Sequence, residues 1–573
     1  MKTEHNFDDT AFDMIVVGSE GAGLTAAFTA AMRGLSVLLV EKAPRFGGTT
    51  ARSDGGLWIP GNPTMAQAGY ADSRERAETY LKGGMGAFYD AEKTGAFLDD
   101  GPQMVRFLHE HSEVRLDNWQ SPDYEPWREG AAHGRSIGVT SFDGRRLGRD
   151  LDAISPPLPQ LTILGGMQVG YGDVPRFAKV LRGASDFVYT GEKVARYAYD
   201  RVVHHRLTRM VLGNALIGAL LLSARKAGVT LWRDCPMTQL VEDEGAIVGV
   251  KVRRGEHEHT LTARRAVVLA TGGYGGNPQM RRRYLPLAEA GYSLQPESNT
   301  GDGLSAGEKA GGHVVEDNCA NAIWAPFSST LDAENRLVHY PHNVRDRSFP
   351  GFLMVDEHAR RFVNEGASYQ ALGNLFNARR LTRCWLICDH KALRRYGMGH
   401  VKPWPLPYKA HIRSGYLRGG RTIVELARRL DLDPETLRAT VERFNHFARS
   451  GQDPDFHKGE DEYSADQGDP EVTPNPALGP VEHGPFYAVE LRPSELSATN
   501  GLATNVRAQV LDAQGKPVPG LYAVGVDANT VFRGAYPGGG ASIGPGMTFG
   551  FIAANHVAAG GETRRAAKQA ARA

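Results

Sequence analysis

A glycine-rich turn near the start of the chain has the spacing of a phosphate-binding site. Residues 16–23 read Val-Val-Gly-Ser-Glu-Gly-Ala-Gly and lie between an apolar run and an alanine-rich run. A strand, a tight turn and a helix in that order direct backbone N–H groups and the positive end of the helix dipole at a bound phosphate. The spacing therefore predicts that a dinucleotide contacts Gly18, Ser19, Gly21, Ala22 and Gly23.

The turn departs from the usual fingerprint at one position. Glu20 stands where a second glycine normally lets the backbone approach a pyrophosphate, so we expect Gly21 to supply that approach. Glu41 ends the next apolar run about twenty residues later, where a carboxylate can accept hydrogen bonds from both ribose hydroxyls and disfavour a 2′-phosphate. Glu41 and Lys42 are therefore predicted to contact an adenosine that lacks an extra phosphate. The alternative is a turn of this type with no ligand.

A second glycine-rich loop follows soon afterwards. Residues 47–56 read Gly-Gly-Thr-Thr-Ala-Arg-Ser-Asp-Gly-Gly. Glycines permit close approach and hydroxyl groups donate hydrogen bonds, so such a loop suits contact with phosphates or a flavin ring. Composition alone equally fits a flexible loop, but the position after Glu41 favours a ligand contact by Gly48, Thr49, Thr50, Ser53, Gly55 and Gly56.

The elements that must position these loops form a βαβ unit over residues 12–41. Two further apolar runs, 266–270 and 521–524, also end in glycines, and parallel strands of this kind can converge on one ligand. The predicted fold class is α/β, with a discontinuous Rossmann-like domain formed by residues 1–276 and 486–573. An inserted α+β domain is predicted over 277–485, where aromatic and turn residues are richer. The additional contact residues predicted at the strand ends are Ala270, Thr271, Gly272, Gly525 and Asp527.

Composition restricts the class of protein. The 573 residues include 66 Lys and Arg against 65 Asp and Glu, so no net charge favours a nucleic-acid partner. The cysteines, Cys235, Cys319, Cys384 and Cys388, are too few for a disulfide framework and lack metal-binding spacing. The first 13 residues lack a signal pattern and no apolar run is long enough to span a bilayer. We therefore expect a cytoplasmic protein without a metal.

Together these segments resemble the fumarate reductase and succinate dehydrogenase flavoprotein superfamily. The resemblance includes Ala-Thr-Gly-Gly at 270–273, Thr-Gly-Asp-Gly at 300–303 and Gly-Leu-Tyr-Ala-Val-Gly at 520–525. It implies FAD as the cofactor, with the first glycine turn at its ADP part and residues 538–546 at the isoalloxazine. The further cofactor contacts implied are Asp302, Gly540, Ser542 and Ile543. Residues 47–56 contain no histidine, whereas members with covalent flavin carry one there, so the FAD is expected to be non-covalent.

The residues expected opposite the flavin divide this superfamily. Fumarate reductases place a catalytic arginine four residues after the glutamate that corresponds to Glu365, but this chain has Tyr369. The histidine-containing segment that grips a dicarboxylate should fall at 497–502, which here reads Ser-Ala-Thr-Asn-Gly-Leu. The chain instead resembles the 3-ketosteroid Δ1-dehydrogenases, through Asn-Glu before Tyr369, Tyr-Pro-Gly-Gly-Gly at 536–540 and Pro-Asp-Tyr at 122–124.

That resemblance implies the 1,2-desaturation of a 3-oxosteroid. Tyr536 hydroxyl and Gly540 N–H would donate hydrogen bonds to the ketone oxygen. Tyr369 would abstract the C2 proton with the assistance of Tyr124, and the C1 hydride would pass to flavin N5. A tyrosine base implies a preference for alkaline pH, since the free phenol has a pKa of about 10. An external acceptor would then take the electrons.

Several alternatives remain open from the sequence. The same tyrosines could desaturate a smaller cyclic ketone such as a 4-oxocyclohexanecarboxylate. A Δ4-desaturating relative would carry a serine at Gly538, a reductase of an activated alkene would carry an arginine at Tyr369, and a flavin-binding protein without turnover would not need three tyrosines.

One segment lies outside all of these motifs. Residues 156–208 look like an insertion relative to shorter family members, and residues 176–209 interleave basic and apolar residues at nearly helical spacing. This pattern fits peripheral membrane contact, and equally a capping subdomain or a subunit contact.

Overall fold

The computed structural model describes residues 10–560 except 181–182, 288–291, 333 and 344. The ends of the predicted domain ranges, 1–9 and 561–573, lie outside the described residues. The strands are β1 (Ala11–Val17), β2 (Val37–Val40), β3 (Gly56–Trp58), β4 (Leu116–Asn118), β5 (Ser136–Val139), β6 (Phe142–Asp143), β7 (Thr162–Ile163), β8 (Met167–Gln168), β9 (Arg209–Met210), β10 (Thr230–Trp232), β11 (Met237–Asp243), β12 (Ala246–Arg254), β13 (His257–Leu269), β14 (Val314–Val315), β15 (Ala322–Leu331), β16 (Leu337–Pro341), β17 (Phe352–Val355), β18 (Cys384–Asp389), β19 (Arg418–Gly420), β20 (Phe486–Ala498), β21 (Gly501–Leu502), β22 (Gln509–Leu511) and β23 (Pro517–Ala523).

The helices lie between and around these strands. They are α1 (Gly21–Met32), α2 (Gly48–Ala51), α3 (Pro63–Gln67), α4 (Arg74–Met85), α5 (Ala91–His111), α6 (Val174–Ala178), α7 (Ala184–Val203), α8 (Leu212–Lys226), α9 (Pro278–Tyr284), α10 (Asp302–Lys309), α11 (Tyr369–Arg379), α12 (His390–Tyr396), α13 (Lys409–Arg413), α14 (Ile423–Arg429), α15 (Pro434–Ser450), α16 (Glu462–Asp466) and α17 (Ile543–Ala558). Within the described residues, no helix combines the length and the apolar character needed to cross a bilayer.

The first sheet brings the glycine turns together. Its strands run in the order β10-β2-β1-β13-β12-β11, and β23 also pairs with β13. β2, β1, β13 and β23 are parallel neighbours, so their carboxyl ends meet at one edge. The predicted convergence of the three glycine-ended strands is confirmed. The predicted α/β class is also confirmed, although β13 begins at His257, earlier than the apolar run at 266 indicates, because its first half pairs with β12.

Small residues set how closely α1 packs against its neighbours. β1 is an apolar strand with Ile15 and Val16 fully buried, as expected of a strand covered on both faces. α1 packs against α17, and a Cβ atom at Gly550 would lie 2.5 Å from the Ala22 carbonyl oxygen. Close packing of these two helices fixes the N-terminus of α1 at the carboxyl edge of the sheet.

The second sheet carries the inserted part of the chain. Its strands run in the order β16-β15-β20-β18-β17, with β19 also paired to β20. β20 lies beyond the predicted boundary at residue 485, yet it pairs with β15 and β18 and so belongs to this sheet. Position in the sequence therefore misplaced this strand, because hydrogen-bond partners rather than sequence order decide which sheet a strand joins. The division of the chain into domains otherwise stays a prediction.

A buried ionic cluster supports the segment before Tyr369. The Arg361 guanidinium donates to Glu365 Oε1 and to Asp453 Oδ1, each at 2.8 Å, and the Arg361 and Glu365 side chains are 6% and 0% exposed. Glu365 also accepts from the Met354 N–H at 3.0 Å, which ties the segment to β17. Lys458 Nζ lies 3.5 Å from Glu365. The cluster contains two cations and two anions, so no charge in it is left unpaired.

We predict that Arg361→Met lowers the melting temperature markedly, because it leaves Glu365 and Asp453 buried with only Lys458. Breaking a buried ion pair on one side costs about 3–5 kcal/mol. The matched control is Arg438→Met on α15, where an exposed arginine contacts Glu435 and Glu442, and such pairs contribute at most about 1 kcal/mol. Thermal unfolding followed by circular dichroism would measure both, and equal shifts would contradict the role given to the cluster.

Candidate active site

The main cavity lies against both glycine loops and contains a cluster of tyrosines. Its volume is about 340 Å³, within the range of ligand pockets. The residues predicted from the sequence that line it are Ala22, Thr49, Thr50, Ser53, Gly55, Gly56, Tyr124, Tyr369, Gly525, Tyr536, Gly540, Ser542 and Ile543. Segments far apart in the chain therefore meet in one cavity.

The three predicted tyrosines form a triangle. Their ring centroids are separated by 5.5 Å for Tyr124 and Tyr369, 5.5 Å for Tyr369 and Tyr536, and 5.8 Å for Tyr124 and Tyr536. Interactions with Tyr124 and Tyr536 add to the rise that burial causes in the pKa of the Tyr369 hydroxyl.

Separate elements hold each tyrosine. Tyr369 is the first residue of α11, whose N-cap Ser368 accepts from the Ala371 N–H at 3.2 Å. The Tyr124 N–H donates to the Pro537 carbonyl at 3.0 Å, so the loop that carries Tyr124 is tied directly to the one that carries Tyr536.

The Tyr124 loop is also anchored from below. Asp123, the preceding residue, accepts from Arg135 Nη1 at 2.7 Å and from Trp58 Nε1 at 2.8 Å, and all three side chains are buried. The Tyr80 hydroxyl donates to the Pro537 carbonyl at 2.9 Å. The Pro-Asp-Tyr pattern thus contains one residue that anchors the loop and one that enters the cavity.

Burial keeps these phenols protonated at neutral pH. It raises the pKa of Tyr369 and Tyr124 well above the ordinary value and that of Tyr536 to about 12. The triangle itself contains only phenol groups, with no carboxylate or imidazole that could accept their protons. A phenolate at any corner would therefore need hydrogen bonds from its neighbours to form.

Two further tyrosines that line the cavity, Tyr171 and Tyr463, were not predicted from the sequence. Tyr463 lines the cavity, and its ring centroid lies 4.7 Å from that of Tyr124. Burial raises the pKa of Tyr463 to about 12, while the Arg347 guanidinium opposes that increase. Tyr463 is the second residue of the short helix α16, and no motif in the sequence marks it.

Gly540 closes the cavity beside Tyr536. Its φ is +95°, and a Cβ atom there would lie 2.5 Å from the Leu57 backbone nitrogen. The Gly540 N–H opposes the rise that burial causes in the pKa of Tyr536. A carbonyl oxygen placed between them would accept from both, which is the arrangement of an oxyanion hole.

A second cavity lies on the other side of the first glycine turn. The predicted residues that line it are Gly18, Ser19, Glu41, Lys42, Gly48, Ala270, Thr271 and Asp302. Glu41 Oε2 accepts from the Ser19 N–H at 3.1 Å and from its hydroxyl at 2.5 Å. Lys42 Nζ pairs with Asp302 Oδ2 at 2.7 Å.

The backbone of this turn fits the ADP part of FAD. At Gly18 φ is +109°, and a Cβ atom would lie 2.0 Å from the Ala270 carbonyl oxygen. At Gly23 a Cβ atom would lie 2.3 Å from the Gly18 carbonyl oxygen. Only glycine permits this tight passage from β1 into α1, and the passage leaves the N-terminus of the helix facing the cavities.

Four predicted contact residues do not line either cavity. Gly23 acts through the turn geometry, and the Gly21 N–H donates to the Thr50 hydroxyl at 3.2 Å. Asp527 accepts from the Thr271 N–H at 2.5 Å and from its hydroxyl at 2.9 Å, so it holds the turn at the end of β13. Gly272, in that same turn, packs against the Glu20 side chain. These residues hold the turns whose neighbouring residues line the cavities.

Two glycine-rich loops at the edge of a Rossmann-like sheet, with a cavity lined by tyrosines beside them, define an FAD-dependent oxidoreductase. The family described as FAD binding domain matches residues 13–543. The chain belongs to this flavoprotein family, and FAD is its non-covalent cofactor.

Relatives that align over nearly their whole length indicate the group to which the chain is most similar within this family. The chain is 38% identical over 558 residues to 4-oxocyclohex-2-ene-1-carboxylate 5-dehydrogenase of Sinomonas cyclohexanicum, covering 96% of this chain and 94% of the relative. It is 36% identical over 568 residues to 3-oxosteroid 1-dehydrogenase of Mycobacterium tuberculosis, covering 96% and 98%. The 3-ketosteroid Δ1-dehydrogenase of Sterolibacterium denitrificans, solved with 1,4-androstadiene-3,17-dione, superposes with a TM-score of 0.88 at 32% identity, covering 96% of this chain and 100% of that one. The predicted resemblance to this group is confirmed.

We predict that Gly540→Ala lowers both the melting temperature and the flavin content of the purified protein. The left-handed backbone costs an alanine about 1–2 kcal/mol before its clash with the backbone of β3 is counted. Gly539→Ala is the matched control, because a Cβ atom there would make only ordinary contacts, the nearest at 3.4 Å from Trp119. Flavin absorbance per protein and a thermal scan would measure both effects. Equal behaviour of the two variants would contradict the tight fit at Gly540.

Proposed function

We propose that this protein catalyses the FAD-dependent 1,2-desaturation of a 3-oxosteroid. The observation that carries the proposal is the triangle of Tyr124, Tyr369 and Tyr536 beside the Gly540 N–H. The glycine-rich loop 47–56 lines the same cavity. The relatives named as 3-oxosteroid 1-dehydrogenases support the substrate class.

The ketone oxygen binds between two donors in this proposal. Tyr536 hydroxyl and Gly540 N–H stabilise the negative charge that develops on that oxygen. This stabilisation acidifies the neighbouring C2–H, so that Tyr369 as a phenolate can take the C2 proton. Bound FAD supplies the acceptor for the hydride that leaves C1, and the C1=C2 double bond forms. An external acceptor then removes the electron pair.

Tyr124 assists the base. Burial disfavours a phenolate at Tyr369. In the proposed mechanism the Tyr124 hydroxyl turns to donate a hydrogen bond to that phenolate, which would offset part of the cost. Tyr463 lies on the far side of Tyr124 and next to Arg347, a buried cation, which favours negative charge in this direction. Tyr463 is therefore proposed as a positioning residue that holds Tyr124 toward Tyr369.

A phenolic base at Tyr369 predicts how the rate of flavin reduction depends on pH. Because burial raises the pKa of Tyr369 well above its ordinary value, only a small fraction is phenolate at neutral pH. The rate of flavin reduction should increase by up to about tenfold per pH unit between pH 7 and 10. Tyr124→Phe should move the profile to higher pH, since the phenolate loses a donor. A rate that is constant across this range would contradict a phenolic base.

The substrate test is anaerobic stopped-flow of the holoprotein with 4-androstene-3,17-dione, following loss of the oxidised flavin band. Tyr369→Phe should slow flavin reduction by about 10²–10⁴-fold. Tyr487→Phe is the matched control, because Tyr487 is also buried, with its hydroxyl 3.3 Å from that of Tyr408, yet does not line the cavity. Equal losses in both variants would contradict the assigned base.

The second candidate is desaturation of a smaller cyclic ketone acid. Two relatives favour it, at 38% and 33% identity, named as dehydrogenases of 4-oxocyclohex-2-ene-1-carboxylate and 4-oxocyclohexanecarboxylate. The same stopped-flow experiment with 4-oxocyclohexanecarboxylate separates the two. Flavin reduction by this compound but not by the steroid would replace the substrate assignment and leave the reaction class intact.

We further propose that the protein works in the cytoplasm at a membrane surface, which α7 contacts. Phe187, Val188, Tyr199 and Val202 are 57–76% exposed and fall within one third of the helix circumference. Several basic residues of the predicted segment are instead paired, as in Arg176 with Asp186 and Arg196 with Asp143. The contact would therefore depend on apolar insertion more than on charge.

Vesicle flotation tests this contact. The wild type should float with neutral phosphatidylcholine vesicles and the double variant Phe187→Ser with Val202→Ser should not, whereas Leu331→Ser, an exposed apolar residue on β15, should float like the wild type. If the wild type stays unbound and forms a dimer that the double variant lacks, the apolar face is a subunit contact instead.

A further inference from the structure

The Glu20 side chain lies where the two cavities meet. Glu20 lines the tyrosine cavity and also the cavity beside Glu41 and Lys42. FAD is a long molecule with its flavin at one end, its adenosine at the other and a pyrophosphate between them. A cofactor that occupies both cavities must therefore pass the Glu20 carboxyl group with its pyrophosphate.

Neighbouring backbone encloses the Glu20 side chain in this position. Glu20 Oε1 accepts from the Thr49 N–H at 2.7 Å. Cβ atoms at Gly48 and Gly272 would lie 2.5 Å and 2.7 Å from this oxygen. Only glycine at both neighbouring positions leaves room for the carboxyl group. The cofactor therefore does not simply push Glu20 aside, because three backbone segments enclose it.

The charges around Glu20 are mostly negative. The carboxylates of Glu41 and Asp527 face it from the ends of β2 and β23. On the adenosine side the Lys42 cation is already paired with Asp302. Arg52 lines the flavin side and interacts with Glu297. A carboxylate at Glu20 would add one more negative charge beside the pyrophosphate, and among the described residues the hydrogen bonds that stabilise it come from Thr49.

We propose that Glu20 binds the pyrophosphate as a neutral carboxylic acid, so that the protein takes up FAD together with a proton. The O–H group donates to a phosphate oxygen while the carbonyl oxygen keeps the Thr49 N–H. The N-terminus of α1 adds its dipole to the same phosphates. Glu20, which replaces a glycine of the usual fingerprint, thus donates a hydrogen bond to the pyrophosphate that the glycine backbone would otherwise approach.

The proposal fixes the direction in which the affinity for FAD changes with pH. Burial raises the pKa of the Glu20 carboxyl to about 7, and an adjacent pyrophosphate raises it further in the complex. Binding therefore consumes a proton above about pH 7, and the affinity for FAD is full below that pH. The dissociation constant should increase by up to about tenfold per pH unit above it.

The experiment measures release of FAD from the holoprotein on dilution, from pH 5.5 to 9, by the increase in flavin fluorescence. For the wild type we expect constant retention up to about pH 7 and progressive loss above it. Glu20→Gln should show a nearly constant dissociation constant, because its amide supplies both the acceptor and the donor of the neutral acid at every pH. Glu20→Gly restores the usual fingerprint and should also lose the dependence.

The matched control is Glu297→Gln, which removes a carboxylate outside both cavities and should behave like the wild type. A wild-type constant that does not change with pH, or the same slope in Glu20→Gln, would overturn the proposal. The inference depends on FAD occupying both cavities but not on the steroid. Failure of this test with normal flavin reduction would leave the proposed function standing.

Discussion

The close packing of backbone at the carboxyl edge of the first sheet is the constraint on which the rest depends. The Gly18 N–H donates to the Val40 carbonyl at 2.8 Å, and the Ala270 N–H donates to the Val17 carbonyl at 2.8 Å. These bonds bring the ends of β2, β1 and β13 to one level. There is no space for a side chain between Gly18 and Ala270, so the chain can turn directly from β1 into α1. Both cavities open from this turn.

The tyrosine cavity depends on a different kind of constraint. Backbone contacts hold the segments that carry two of its tyrosines: Tyr369 lies in the first turn of α11, and the Tyr124 N–H donates to the Pro537 carbonyl. The hydroxyl groups remain available to one another and to a substrate. A rigid backbone with free hydroxyls suits a site in which a proton must move.

Both halves of the site rely on burial to set protonation. In the tyrosine cavity burial keeps the phenols of Tyr369 and Tyr124 neutral. Beside the pyrophosphate it favours a neutral Glu20. The direction is the same in each case, because a low dielectric disfavours the charged form of an acid. The consequences differ in sign with pH: higher pH favours the proposed base and weakens the proposed cofactor contact.

The sequence by itself determined the parts that depend on local spacing. The spacing of the glycine turn, the strand ends and Glu41 predicted the α/β class and a dinucleotide ligand, and the resemblance to the flavoprotein superfamily implied that this ligand is FAD. Tyr369 and Tyr536 were found because each is attached to a short motif. β20 and Tyr463 were not, since their partners are distant in the chain and no local pattern encodes them. Glu20 shows the division most clearly. The sequence marked it as a departure from the fingerprint, but only the tertiary structure placed its carboxyl group between Gly48 and Gly272. A contact between loops from separate strands is fixed by how those strands pack, and packing is decided by the whole sheet.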